Sequence, residues 1–365
     1  MKTHKQRNLI ILLIIFLLSS CSYSKKNVID NRRVITDAIG RIVSIPDSVD
    51  RIVCIRPGTL HLVSIAGGKD KIVGVEDVET SNKEYIHCNA YPELRERTII
   101  GPHMGGDAEQ ILTVNPDVVF TNSTTIGEAD ELQTRLGIPV IALDGGDMNR
   151  HRPQLYKSLD VIGNVINTKV KTDSLKSFID RQIFKLSRFE NLKSPKVYIG
   201  GISYRGARDI TATDPYYAPF QYIGANNVAQ NIDSTLISAI SGTFIDKEEL
   251  IAWNPDYIFI DRAGKDLAMN NFIKDIALKT CLRAYNKSDI FILWPYNNYH
   301  SNYEVMLINA WAVAKALYPK ETSDIDLNDV INEILYAFYG KYISKKQINL
   351  WGMAGEKMII DLKKN

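Results

Sequence analysis

The chain has few cysteines, and none of them shows the spacing of a metal-binding or redox motif. Only four of the 365 residues are cysteine, and no two form a Cys-x-x-Cys pair. Cys54, Cys88 and Cys281 are an odd number, so they cannot all pair with one another. This pattern argues against a disulfide framework and against a zinc finger or ribbon.

A strongly basic stretch is also missing. Lys and Arg number 44 against 42 Asp and Glu, and no run of basic residues stands out. A nucleic-acid partner would need a basic stripe or patch, so we exclude that class of partner.

The sequence has no common catalytic motif. Gly-x-Ser-x-Gly, His-Glu-x-x-His and a phosphate-binding Gly-rich loop with lysine are all absent. Asp214, Asp233 and Asp246 have no base or nucleophile beside them, so we interpret them as turn or cap residues. We predict a protein that is not an enzyme and carries no cofactor.

The apolar run near the start is too short to span a bilayer. It extends from Leu9 to Leu18, about half the roughly 20 residues that a membrane-spanning helix needs. Three basic residues precede it and Ser19-Ser20-Cys21 follows, which is typical of a lipoprotein signal. We predict a signal peptide at 1–20, lipidation of Cys21, a tether at 21–32 and export to a membrane surface. An ordinary cleaved signal followed by an unmodified cysteine is the alternative.

Without residues 1–20 the chain holds 41 basic and 42 acidic residues, so the exported part is nearly neutral. We expect it to be monomeric.

A thirteen-residue pattern occurs twice in the chain. Residues 108–120 align with 247–259, and each copy places Asn-Pro-Asp between a short amphipathic stretch and an apolar run. Proline ends a helix at the preceding residue, and a continuous apolar run is typical of a buried parallel strand. The repeat therefore predicts an α/β fold with two similarly built Rossmann-like lobes, at 33–150 and 195–365.

The segment between the lobes, 151–194, has apolar residues at helical spacing. It contains one glycine and one proline. If 168–191 is a single helix, its ~24 residues span roughly 36 Å, which is enough to connect one lobe to the other.

These features resemble the periplasmic-binding-protein-like receptors of iron-complex, haem and cobalamin ABC importers. The most specific matches are Asp37-Ala38-x-Gly40-Arg41, the two Glu-x-x-x-x-x-Asn-Pro-Asp segments and the region from Tyr296 to Pro319. The resemblance implies two lobes joined by one long helix, a ligand cleft between the lobes, and a permease dimer with ATPase subunits as partner. It also implies that Glu109 and Glu248 dock on the two permease subunits. Alternatively, both glutamates are explained by their place in the first turn of a helix, where a carboxylate interacts favourably with the helix dipole.

Polar and aromatic residues follow several predicted strands, where open parallel sheets bind ligands. An aromatic wall with a few cations suits a bulky anionic metal chelate, and a ferric siderophore fits best. Cobalamin or haem, a surface scavenger without a permease, and a chelatase-like enzyme remain alternatives. His103 and His300 could be metal ligands or ordinary loop residues. The predicted ligand-binding residues are Arg56, His103, Tyr204, Arg205, Arg208, Tyr217, Trp294, Tyr296 and Tyr299.

Overall fold

A computed structural model describes residues 31–204, 206–233, 235, 237, 242–344 and 351–359. The signal segment, Cys21 and Arg205 lie outside these described residues. The strands are β1 (Arg32–Thr36), β2 (Ile42–Pro46), β3 (Ile52–Ile55), β4 (Ile72–Val75), β5 (Thr98–Ile99), β6 (Val118–Thr121), β7 (Val140–Ala142), β8 (Lys196–Gly200), β9 (Ala212–Thr213), β10 (Asn226–Asn227), β11 (Thr243–Phe244), β12 (Tyr257–Asp261), β13 (Ile290–Leu293), β14 (Asn297–Asn298), β15 (His300–Ser301) and β16 (Glu356–Lys357).

Short and long helices alternate with the strands. The α-helices are α1 (Thr59–Val63), α2 (Asp77–Ser81), α3 (Ile86–Ala90), α4 (Ala108–Thr113), α5 (Ile126–Leu136), α6 (Arg152–Ile166), α7 (Lys169–Ser187), α8 (Ala218–Gln221), α9 (Lys247–Trp253), α10 (Lys265–Lys274), α11 (Ile276–Cys281), α12 (Arg283–Asn286), α13 (Tyr303–Leu317) and α14 (Leu327–Tyr339). None of the helices in the described ranges combines the length and the apolarity needed to cross a bilayer.

The strands form two five-stranded sheets. The first has the order β5-β4-β3-β6-β7 with all strands parallel. The second has the order β10-β8-β12-β13-β16, in which only β16 is antiparallel to its neighbour. The central strands β3, β6 and β13 are buried along their whole length, as expected for parallel sheets covered by helices on both faces. The predicted α/β fold with two sheets is confirmed.

The two Asn-Pro-Asp turns have the same local structure in both lobes. Asn115 and Asn254 follow the ends of α4 and α9 and each have a φ of 44°, a left-handed conformation that asparagine tolerates. The aspartate that follows caps the start of the neighbouring strand. Asp117 Oδ2 accepts from the backbone N–H of Arg51 at 2.8 Å, and Asp256 Oδ2 accepts from that of Lys196 at 3.0 Å. The repeat is therefore a folding unit that joins one helix end to two strands.

The segment between the lobes forms two packed helices. α6 ends at Asn167, which has a φ of 61°, and α7 then runs for 19 residues, about 28 Å. The predicted helix is thus present but shorter than expected. Gln182 near its end accepts a hydrogen bond from Trp311 Nε1 at 3.0 Å, and Lys171 near its start donates to the carbonyl oxygen of Ala337. α7 is therefore held along its length by helices from the C-terminal part of the chain.

The helices α13 and α14 also pack against the first lobe. Glu304 on α13 lies 3.1 Å from His61 Nε2 of α1 and accepts a hydrogen bond at 2.7 Å from the Tyr339 hydroxyl of α14. His61 and Glu304 are fully buried. One continuous apolar core accordingly runs from the first sheet through these helices to the second sheet.

Candidate ligand-binding cleft

The loops at the carboxyl ends of both sheets face a common cleft. On the first-lobe side, the residues after β3, β6 and β7 line a cavity of about 560 Å³. These segments are 57–58, 122–125 and 143–146, and Tyr299 and Tyr303 complete the wall. Because all three strands are parallel, their carboxyl ends meet at one edge of the sheet, which is where such sheets bind ligands.

The second-lobe side of the cleft is more aromatic. A cavity of about 380 Å³ lies against the loop after β8, the turn at 212–218, β11 and the loop after β13, with 147–151 as its opposite wall. Asn297 and Ser301 line both cavities, so the two are neighbouring parts of one cleft. The aromatic residues of this part are Tyr204, Tyr216, Phe244 and Tyr296.

Hydrogen bonds between the lobes close one side of the cleft. The Tyr299 hydroxyl donates to Glu76 Oε2 at 3.1 Å, and the Tyr303 hydroxyl donates to the carbonyl oxygen of Gly145 at 2.8 Å. On the opposite wall, Asn149 Nδ2 donates to the carbonyl oxygen of Tyr216 at 3.2 Å. Each lobe therefore holds part of the other lobe's wall in place.

Burial raises the pKa of one acidic residue in the cavity lining, Asp214, although its carboxylate accepts hydrogen bonds from the Tyr216 backbone and the Tyr296 hydroxyl. Burial also raises the pKa of Asp261, a core residue at the end of β12, to about 8. The raised pKa of Asp214 lessens the repulsion of an anion at that point of the wall.

A cationic side chain lies in the aromatic wall. The Arg150 guanidinium is 4.3 Å from the centre of the Tyr216 ring, within the range of a cation–π interaction. Both residues line the cavity. The pair therefore presents a positive charge on a flat ring face.

Three predicted ligand-binding residues line the cleft, and two more support its loops. Tyr204, Tyr296 and Tyr299 are among the lining side chains. Arg208 Nε donates to the carbonyl oxygen of Tyr204 at 3.0 Å. Arg56 donates to the carbonyl oxygen of Ser123 at 2.9 Å, which fixes the loop after β6.

The remaining predicted residues lie elsewhere. Trp294 and Tyr217 are at most 2% exposed and belong to the core. Trp294 Nε1 donates to the carbonyl oxygen of Gly352 at 3.0 Å, and the Tyr217 hydroxyl accepts from Asn309 at 3.1 Å. The His103 side chain is exposed and packs edge-on against Tyr299, with its centroid at 6.2 Å. A strand-end position thus does not distinguish a wall residue from a core residue.

Among the arginine, phenylalanine and tyrosine side chains that line the cleft, four are absent from the predicted ligand-binding residues: Arg150, Tyr216, Phe244 and Tyr303. Arg150 and Tyr216 do follow loops rich in polar residues, which is a weak signal. Phe244 is the last residue of the two-residue strand β11, and Tyr303 is the first residue of α13, so only the folded chain brings them to the cleft.

Glu109 and Glu248 occupy equivalent positions on the surface. Each is the second residue of its helix, α4 or α9, and each side chain is exposed. The preceding Asp107 caps α4 by accepting from the Gln110 backbone N–H at 2.9 Å. The repeat therefore places one exposed carboxylate at the same point of each lobe.

Comparison with known proteins gives a consistent result. A family model described as periplasmic binding protein matches residues 52–296. The molybdate-binding protein MolA of Haemophilus influenzae is 26% identical over 356 residues, covering 90% of this chain and 95% of that protein.

Solved structures show the same fold. The structure of MolA with bound molybdate has a TM-score of 0.66 at 23% identity, covering 86% of this chain and 99% of that chain. A periplasmic solute binding protein from Veillonella parvula has a TM-score of 0.69 at 18% identity, with coverage of 88% and 97%. The periplasmic haem binding protein HutB of Vibrio cholerae has a TM-score of 0.55 at 20% identity, with coverage of 74% and 99%.

Proposed function

The chain belongs to the periplasmic binding protein family, and we propose that it is the substrate-binding protein of an ABC importer. It captures a small ligand in the cleft and delivers it to the permease without chemical change. The observation that carries this proposal is the cleft itself, which two parallel sheets form with their carboxyl ends. Family membership also supports a protein that is not an enzyme.

A metal chelate, in particular a ferric siderophore, is the ligand class that we propose first. The second-lobe part of the cleft offers the four aromatic rings named above and the Arg150 guanidinium. Flat rings and a cation complement a partly planar, anionic ligand. Haem or cobalamin would use the same wall.

A tetrahedral oxyanion is the second candidate. Its support is the similarity to a molybdate-binding protein over nearly the whole chain. The loop after β6 also places Asn122, Ser123, Thr124 and Thr125 in the first-lobe part of the cleft. Neutral amide and hydroxyl donors of this kind can bind an oxyanion with hydrogen bonds.

We further propose that lipidated Cys21 anchors the protein to a membrane and that Glu109 and Glu248 dock on the two permease subunits. Exposed carboxylates at equivalent points of the two lobes are suited to a partner with two similar subunits. Charge pairing at such sites sets orientation and association rate.

Calorimetric titration of the purified protein tests the ligand class. Ferric siderophores, haem, cobalamin, molybdate and simple metal salts are titrated in parallel. Tryptophan fluorescence is less informative, because Trp294 is buried against Trp351. Saturable binding of one class identifies the ligand, and absence of binding across the panel contradicts both candidates.

Two tyrosine variants connect the binding to the cleft. Tyr204→Ala removes a ring from the wall, and we expect it to weaken binding by about 2- to 13-fold, since a ring contact contributes roughly 0.5–1.5 kcal/mol. Tyr342→Ala removes an exposed ring outside the cleft lining and should bind like the unmodified protein. Equal affinity of the two variants would place the ligand elsewhere.

A further inference from the structure

Three potential metal ligands meet inside the first lobe, away from the cleft. Glu79 is on α2, and His87 and Cys88 are neighbours on α3. One ligand atom from each lies within 4.8 Å of the other two. All three residues are at most 3% exposed.

The distances within this cluster are close to those of a tetrahedral metal centre. His87 Nε2 is 2.8 Å from Glu79 Oε2, and Cys88 Sγ is 3.6 Å from the same oxygen. Zinc bonds of about 2.0 Å to nitrogen or oxygen and 2.3 Å to sulfur correspond to ligand–ligand separations of roughly 3.3–3.8 Å. Both of these separations are within about half an ångström of the expected values, and the ligand atoms of His87 and Cys88 lie within 4.8 Å of each other. A second carboxylate oxygen or a water can complete the coordination.

The chemistry of the cluster also suits a divalent cation. A buried carboxylate is costly without a compensating charge. An imidazole nitrogen, a carboxylate oxygen and a cysteine sulfur are all ligand types that zinc accepts. A hydrogen-bonded trio without metal is the simpler alternative, and it makes the opposite prediction in every measurement below.

We propose that Glu79, His87 and Cys88 form a structural metal site that holds a divalent cation, with Zn²⁺ preferred. Nitrogen, oxygen and thiolate ligands together favour zinc over magnesium or calcium. The full burial of the three residues assigns the metal to the resident structure and separates it from any transported ligand.

A row of stacked rings connects this site to the cleft. The His87 ring lies 5.5 Å from the Tyr85 ring, and Tyr85 lies 6.0 Å from Tyr299, with near-parallel planes in both pairs. Tyr299 lines the first-lobe part of the cleft. A metal that fixes His87 would consequently restrict the position of a wall residue.

The test is zinc binding to the purified protein, which is first stripped of metal with a chelator and then incubated with zinc. Elemental analysis should find one equivalent of zinc per chain after dialysis. Cobalt substitution should give a thiolate-to-cobalt charge-transfer absorption. Less than about 0.1 equivalent of zinc, or no thiolate band, would overturn the proposal whatever the variants show.

Two matched serine variants locate the site. Cys88→Ser should lose the thiolate band, bind zinc at least tenfold more weakly and lose the increase in Tm that zinc gives the unmodified protein. Cys281→Ser changes an exposed cysteine and should keep all three properties. If zinc binds equally to both, the metal lies elsewhere and the assignment is wrong.

Tyr204→Ala separates this site from the cleft. It should retain one equivalent of zinc even where it binds the transported ligand less well. Loss of zinc in Tyr204→Ala with retention in Cys88→Ser would show that the zinc occupies the cleft, which would overturn the buried site.

Discussion

Replacement of the buried Glu304 by glutamine should destabilise the protein and change its response to acid. Burial by itself raises the pKa of Glu304, but the charge of His61 and hydrogen bonds from His61 and Tyr339 outweigh burial and lower it to about 2. From an ordinary value of 4.5, this shift corresponds to roughly 3 kcal/mol of folding free energy. Glu304→Gln should lower the free energy of unfolding at pH 7 by about that amount.

The sign of the pH dependence follows from the lowered pKa. A carboxylate with a lower pKa in the folded state contributes its full stabilisation above pH 4.5 and loses it as the pH falls to about 2. The difference in unfolding free energy between the unmodified protein and Glu304→Gln should therefore shrink across this range. Urea unfolding at pH 7, 5, 4 and 3 measures it.

An exposed glutamate on the neighbouring helix serves as the control. Glu333 is about half exposed and forms a surface ion pair with Lys185 at 3.5 Å. Glu333→Gln should change the unfolding free energy by less than about 1 kcal/mol. If Glu304→Gln is no more destabilising than this control, or its effect is the same at pH 3 and pH 7, the buried pair does not stabilise the contact between the lobes.

Two further predictions concern a buried amide and the docking surface. Asn309→Ala should lower the free energy of unfolding by about 2–4 kcal/mol in urea unfolding. The Asn309 side chain accepts a hydrogen bond from the backbone N–H of Trp294 and donates one to its carbonyl oxygen, and alanine would leave both buried backbone groups without these partners. The exposed Asn286→Ala should cost under about 0.5 kcal/mol, and equal costs would refute this role of Asn309. Glu109→Lys and Glu248→Lys should abolish ligand uptake through the permease while ligand affinity is unchanged, whereas the neighbouring Glu249→Lys should transport normally. Normal uptake by the first two variants would contradict docking at these residues.

Residue patterns predicted which loops line the cleft better than they predicted which side chains point into it. The residues after β3, β6 and β8 line the cleft, as expected for polar loops that follow buried parallel strands. Trp294 follows β13 in the same way, yet its ring points into the core. Position along a strand indicates which edge of the sheet a residue reaches, but the direction of its side chain depends on the helices packed there.

The cluster of Glu79, His87 and Cys88 was also not predictable from residue spacing. The spacing of His87 and Cys88 matched no known metal motif, and the third ligand, Glu79, belongs to another short helix. Adjacent residues on a helix point about 100° apart, so a shared ligand set between them is not expected from sequence.

Local residue patterns are enough to indicate the two α/β units, because hydrophobic periodicity, the Asn-Pro-Asp turns and the residues at the strand starts act over a few residues or between neighbouring strands. Which rings face the ligand and which charged groups are buried depends on the tertiary structure. His61 and Glu304 are separated by more than 240 residues, and their contact depends on α13 packing against α1. Burial of that kind results from the summed packing of distant elements, which no local pattern records.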